Sequence, residues 1–200
     1  MTLLATLRHH LAAVGGLLLF RPGSAERLAP DSATATRSLH TLWFEAPYAL
    51  TVGYIVDQPD LEKFAVPVWV YFVFRGWSYV ARLLATFWLV RLHAQWQGAG
   101  EHNARWITAF NWMNVLTDLL LLPFLLYSLM VPLTREELIV MGTATYLFII
   151  YSYWALTWQV LKVNPFFAAG VAMIPVFISD MLYNFSNLKM FGSIRPFFDQ

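Results

Sequence analysis

The chain has 200 residues, of which 58% are apolar and only 12% charged, with a net charge of +1. Soluble domains carry roughly 25% charged residues, so half that share, with a mean hydropathy of +0.54, points to lipid as the solvent. The near-zero charge offers nothing to nucleic acid, and the lack of cysteine excludes disulfides, thiolate catalysis and cysteine-ligated zinc or iron–sulfur centres.

Residues 1–20 have the length of a signal peptide, but Arg8-His9-His10 sits in the middle of the stretch, and Phe20-Arg21-Pro22-Gly23 follows in place of a small-residue cleavage site. The uninterrupted apolar run, residues 11–20, is too short for about 30 Å of hydrocarbon. It reads as an amphipathic helix lying at the membrane interface, with a cleaved signal as the alternative. Residues 22–37, rich in Ser, Ala, Thr and Pro, read as a surface linker.

Five spans follow. The first covers residues 39–56 and ends in the turn-forming Asp57-Gln58-Pro59-Asp60; the second covers 64–90 and closes on Arg91-Leu92-His93. The polar stretch 91–105, with Gly98-Ala99-Gly100-Glu101, reads as a loop. The third span covers 106–130 and stops at Pro132. Thr134 and Glu137, three apart, form a capping box that starts the fourth, 138–161. Lys162-Val163-Asn164-Pro165 makes the next turn, and the fifth runs from 165 to about 183. Helices are required because an unpaired backbone group in hydrocarbon costs several kcal/mol. The expected fold is all-α: a polytopic transmembrane bundle of about five spans with an N-terminal interfacial helix. It divides into an interfacial helix and linker (1–37), a five-helix membrane domain (38–184) and an external interfacial tail (185–200) in which Phe185, Phe191, Phe197 and Phe198 stand among polar residues.

Lys and Arg set the orientation. With the N-terminus inside, inner segments hold Arg8, Arg21, Arg27, Arg37, Arg91, Arg105 and Lys162, whereas outer segments hold Lys63, Arg135, Lys189 and Arg195. A cytoplasmic N-terminus and an external C-terminus are expected.

Five ionisable residues fall inside the spans: Glu45, Arg75, Arg82, Asp118 and Asp180. Each costs about 2.5–3.5 kcal/mol at a helix centre unless paired or near water. Helical rise places Glu45 ~9 Å and Arg82 ~12 Å from the inner surface, with Asp118 at ~18 Å and Arg75 and Asp180 at ~22 Å. Glu45 is therefore expected to meet Arg82, and Arg75 to meet Asp118 or Asp180. Arg75, Tyr79 and Arg82 share one face of the second span, and Asn111, Asn114 and Asp118 share one face of the third; the two stripes are expected to face each other. Such a network either holds the bundle together or forms a path for protons, ions or substrate.

The fourth span carries Tyr146, Tyr151, Tyr153, Trp154 and Trp158 without a charge. It reads as a lipid-facing helix with an interfacial belt, or as a face for another membrane protein or a flat cofactor. The small residues Ala168-Ala169-Gly170 and Ala172 of the fifth span suit close helix approach.

Chemistry is sparse. None of His9, His10, His40, His93 and His102 forms the helical pair of a metal site, although His40 and His93 lie beside the first two spans at the same surface. There is no phosphate-binding glycine loop and no nucleophile elbow. No catalytic residue, metal or cofactor is expected.

The layout of a surface segment, five spans, short loops and an external C-terminus resembles the Yip family (Ypt-interacting proteins) and its bacterial relatives. Arg37-Ser38-Leu39, leading into the first span, and Ala109-Phe110-Asn111-Trp112, opening the third, are similar to segments of small proteobacterial membrane proteins of this layout. The resemblance implies a bacterial inner membrane and no catalytic residues. Its eukaryotic members bind small GTPases in vesicle traffic through a long acidic N-terminal region that this sequence does not contain. The expected function is non-catalytic: a scaffold or accessory subunit contacting the bilayer and other membrane proteins or itself. The alternatives are a small transporter or proton- or ion-conducting protein using the charge network, and, with less support, a lipid-acting membrane enzyme.

Overall fold

The computed structural model describes residues 3–29, 31–131 and 133–191, and they contain helices and turns with no strand. The helices are α1 (Leu3–Leu18), α2 (Ser32–Ser38), α3 (Leu42–Lys63), α4 (Val68–Trp96), α5 (Asn103–Met130), α6 (Arg135–Leu161) and α7 (Pro165–Phe191). Among the described residues, three helical segments are long and apolar enough to cross a membrane: Gly100–Met130, Arg135–Leu161 and Pro165–Phe191. They correspond to the third, fourth and fifth expected spans. Helices α3 and α4 have the length but are less apolar than these three.

The chain forms two compact units. The first comprises Met1–Leu42 and Val90–Met173; the second comprises Trp43–Leu89 and Ile174–Gln200.

In the first unit, α1 begins well before residue 11 and includes Arg8-His9-His10. Ala13, Val14 and Leu17 are fully buried, and α1 packs on α5 and α6, so its apolar stripe is covered by protein. It ends where Arg21 N–H donates to Gly16 O at 2.8 Å and Phe20 takes a left-handed conformation (φ 50°). Gly16 is required there: a Cβ would run into the side chain of Ser24, which is buried.

The second half of the expected linker is helical. The Asp31 carboxylate accepts from the N–H (2.7 Å) and hydroxyl (2.9 Å) of Thr34, a helix N-cap, and these bonds hold its carboxyl below the ordinary aspartate range. With its start fixed, α2 packs on α5.

His10 on α1 stacks on Trp112 of α5, ring centroids 4.9 Å apart and 13° from parallel. Burial, and secondarily the adjacent His9, push its imidazole below the ordinary histidine value. The unfolded chain therefore binds the proton more readily than the folded one. This stabilisation is complete above the unfolded value of about 6.5 and is lost as pH falls from there toward the folded value. Amide exchange in residues 11–18, corrected for intrinsic rates, is expected to quicken as pH falls below about 6.5 and to lose that dependence in His10→Phe.

Helix α6 starts as the sequence predicts. Thr134 N–H and hydroxyl donate to Glu137 Oε2 at 2.8 and 2.9 Å, and Glu137 N–H donates back to Thr134 Oγ1 at 3.3 Å. Pro132, the expected stop of the third span, lies outside the described residues. Lys162, in the left-handed conformation (φ 54°), ends α6. Asn164 Oδ1 then accepts from Phe166 N–H at 2.8 Å as α7 begins.

Helix α4 runs on to Trp96, six residues past the expected end, and stops at Gly98 (φ 68°) with Ala99 N–H donating to Ala94 O at 2.8 Å. Arg91, His93 and Gln95 are therefore helical and the loop is shorter than expected.

In the second unit, α3 does not end at Asp57-Gln58-Pro59-Asp60. It continues through Pro59 to Lys63 and turns one step later, at Ala65 (φ 50°), where Val66 N–H donates to Leu61 O at 2.9 Å. Helix α7 likewise passes residue 183 and reaches Phe191, so part of the expected tail is helix. The rest of that tail, including Arg195, Phe197 and Phe198, lies outside the described residues. Leu61, Tyr71 and Phe191 form a small buried cluster in this unit.

Candidate functional site

The densest polar constellation lies in the second unit, where α3, α4 and the end of α7 meet around Arg75. Arg75 Nη2 donates to Asp57 Oδ2 and to Asn187 Oδ1, both at 2.7 Å, and Nη1 donates to the carbonyl of Tyr183 at 3.4 Å. Tyr183 covers the guanidinium with its ring at 3.9 Å, and its hydroxyl donates to the other Asp57 oxygen at 3.0 Å. The Tyr71 ring lies 5.7 Å from the same guanidinium. Both charged side chains are 8% exposed. Tyr71 reaches in because α3 has a glycine opposite it: a Cβ on Gly53 would meet the Tyr71 hydroxyl at 2.6 Å. One turn along α4, Ser78 and Ser186 share a hydrogen bond.

This is a correction to the expected pairing. Arg75 is joined to Asp57, a residue that local sequence assigns to a turn. Asp180 is exposed on α7 and makes no salt bridge with another described residue. Asp118, half-buried, belongs to the first unit. Asp57 and Asn187 escape the sequence reading because its first span ends at residue 56 and its fifth at about 183; Tyr183 stands at that end and carries no charge to mark it. Tyr183, Ser186 and Asn187 do repeat at helical spacing, and a longer fifth helix would have placed them on one face.

The second expected pair is present. Arg82 Nη2 meets Glu45 Oε1 at 3.4 Å, with side chains 23% and 3% exposed respectively, and the Tyr79 ring lies 5.0 Å from the guanidinium. Arg75, Tyr79, Arg82 and Thr86 follow one another along one face of α4.

The polar stripe of α5 is used inside the first unit. Asn111 Nδ2 donates to Ser38 Oγ at 2.8 Å, and Asn114 Oδ1 accepts from the Tyr153 hydroxyl at 2.9 Å. Both asparagines are buried, so this stripe is taken up by α2 and α6.

The aromatic residues of α6 divide between two faces. Tyr153 points into the core, stacked on Phe110 at 5.2 Å. Tyr151, Trp154 and Trp158 share the other face, where Phe20 lies against all three at 5.5–6.3 Å. The Tyr151 hydroxyl donates to Leu18 O at 2.7 Å and Gln159 Nε2 to Leu17 O at 2.6 Å. The Tyr151 bond satisfies a carbonyl at the end of α1, whereas Leu17 O also accepts from Phe20 N–H at 3.2 Å. The expected partner or cofactor face is thus partly occupied by the chain's own N-terminal segment. Tyr146 is half-buried.

Among the described residues no group of three His, Asp or Glu side chains is placed to hold a metal; His93 instead lies against Trp96 and Phe167 at 5.2 and 6.2 Å. No protein-family model matches the chain, and neither a curated protein nor a solved structure matches it.

Proposed function

We propose that this chain is a non-catalytic integral membrane protein of the bacterial inner membrane, similar in layout to the Yip family, that serves as a scaffold or accessory subunit. In this reading it crosses five times, with the N-terminus cytoplasmic and the C-terminus periplasmic. Helices α3 and α4, with 22 and 29 residues, supply ~33 and ~44 Å of helix, enough for the remaining two crossings. Their exposed Trp43, Phe44, Trp69, Trp77 and Trp88 suit lipid and its interfaces. The observation that carries the reading is the Arg75 cluster. Its terminal nitrogens and both Asp57 oxygens are engaged by the protein itself, which is how a buried charge is used to join helices.

A tagged chain extracted in mild detergent is expected to migrate as an oligomer or with a stoichiometric membrane partner, and tagging that partner should recover this chain. A particle containing one copy of this chain and lipid alone would count against the subunit role.

One observation favours the second reading, a small transporter or proton-conducting protein. The Arg82–Glu45 pair is long and unequally buried, and two polar atoms at it, Arg82 Nε and Thr86 Oγ1, are buried without a hydrogen-bond partner among the described residues.

A further inference from the structure

The two ion pairs of the second unit differ in kind. Asp57 and Arg75 are equally buried and locked at 2.7 Å, and each has further partners on α7. Opening that pair would strand a guanidinium in an apolar interior. The Glu45–Arg82 pair is the opposite case. The carboxylate is the deeper member, at 3% exposure, while Arg82 is 23% exposed and rests on the Tyr79 ring. Arg82 can therefore keep its charge when Glu45 loses its own. The contact between them, 3.4 Å, is longer than the usual 2.7–2.9 Å of a charge-assisted hydrogen bond. Along the same face, the fully buried Thr86 Oγ1 has no partner among the described residues, nor have the Nε atoms of Arg82 and Arg75; a stranded hydroxyl costs free energy in an apolar medium unless water or a polar ligand answers it.

We propose that Glu45 is a proton-binding carboxylate, held by Arg82 and flanked along α4 by Thr86. Hydronium gives one proton to the Glu45 carboxylate, leaving water, a neutral carboxyl and an unchanged arginine cation. The closing of the ion pair returns the proton. Two opposed effects bear on Glu45: burial favours the neutral acid and Arg82 favours the anion. The ionisable groups on the facing side of α4 are Arg82 and Tyr79. On α3 Tyr48 lies one turn on; α7 contributes Asp180, which is exposed, and Tyr183, whose hydroxyl is given to Asp57. A larger cation would have to approach Glu45 beside the Arg82 guanidinium, whereas a proton needs only hydrogen-bonding groups and water.

This site rests on the transport reading for its use but not for its existence, so binding and flux are measured separately. Full-length protein in lipid vesicles is examined by infrared difference spectroscopy between about pH 8 and about pH 4, a range that includes and exceeds that of unperturbed carboxyls. The other five glutamates and the aspartates also take up protons in this range, so the Glu45→Gln spectrum is subtracted. The expected result is a residual wild-type protonated-carboxyl band that shifts with isotopically labelled glutamate and not with labelled aspartate. In Arg82→Gln, a second variant that does not depend on Glu45→Gln folding, its midpoint should move to higher pH, corresponding to a proton affinity raised about tenfold or more. The inference is overturned by a wild-type signal no different from that of Glu45→Gln, or by a midpoint indifferent to Arg82→Gln. Proton uptake into the same vesicles, read by a trapped pH dye, reports on transport. A band without flux keeps the site and removes the transport reading; flux without a band does the reverse.

Discussion

Replacing Asp57 with alanine is expected to destabilise the second unit by about 3–5 kcal/mol, the cost of leaving a buried charge without its counterion. Arg75 would keep Asn187 and the Tyr183 carbonyl, which are dipoles and do not neutralise it, and Tyr183 would lose the acceptor of its hydroxyl. Nor can the arginine reach water, being 8% exposed. Removing both charges together, as Asp57→Ala with Arg75→Met, should cost far less than Asp57→Ala alone, because exchanging a whole buried pair for apolar groups is often close to neutral. Thermal unfolding in one detergent, followed across the two single variants and the double, gives the coupling directly. Additive effects would show that the pair does not hold the helices together and would remove the main support for the scaffold reading. Because Asp57 and Asn187 approach Arg75 from α3 and α7, the loss should also appear as faster amide exchange in both helices.

The features that could be read from sequence are those fixed over a few residues or by position along a helix axis. Thr134 and Glu137 are three apart and bond each other, so the start of α6 was evident. The Glu45–Arg82 pairing followed from depth alone, since residues at similar levels on two helices have few other charges to choose from. Depth gives a level but not a direction around the helix. Asp180 was therefore placed at the right height for Arg75 yet lies exposed on α7. The Asp57-Gln58-Pro59-Asp60 segment has strong turn chemistry, but Asp57 is held by Arg75, 18 positions on, and by Tyr183, 126 positions on. Contacts at that range override local preference, and nothing within a few residues signals them. The α5 stripe shows the same limit. Asn111 and Asn114 are buried polar groups, as their spacing suggested, but their partners Ser38 and Tyr153 come from α2 and α6.

Trp106→Ala is expected to cost the first unit about 3 kcal/mol, at the lower end of the range for deleting a large buried aromatic. Trp106 is 1% exposed, stacks on Phe110 at 4.9 Å, and donates from Nε1 to Thr157 Oγ1 at 3.1 Å. Phe110 stacks in turn on Tyr153, so one column of rings ties α5 to α6. In a lipid solvent little of this energy comes from escaping water, because acyl chains are as apolar as the core. It comes from lost packing and from the hydroxyl left behind. Trp106→Phe should therefore recover much of the packing but not the hydrogen bond, and Trp106→Phe with Thr157→Val should be milder than Trp106→Phe alone, since no buried hydroxyl is then stranded. Detergent-unfolding midpoints decide between these outcomes. A Trp106→Ala protein as stable as the parent would mean that the ring column does not carry the α5–α6 contact on which α1, through Leu17 and Leu18, is seated.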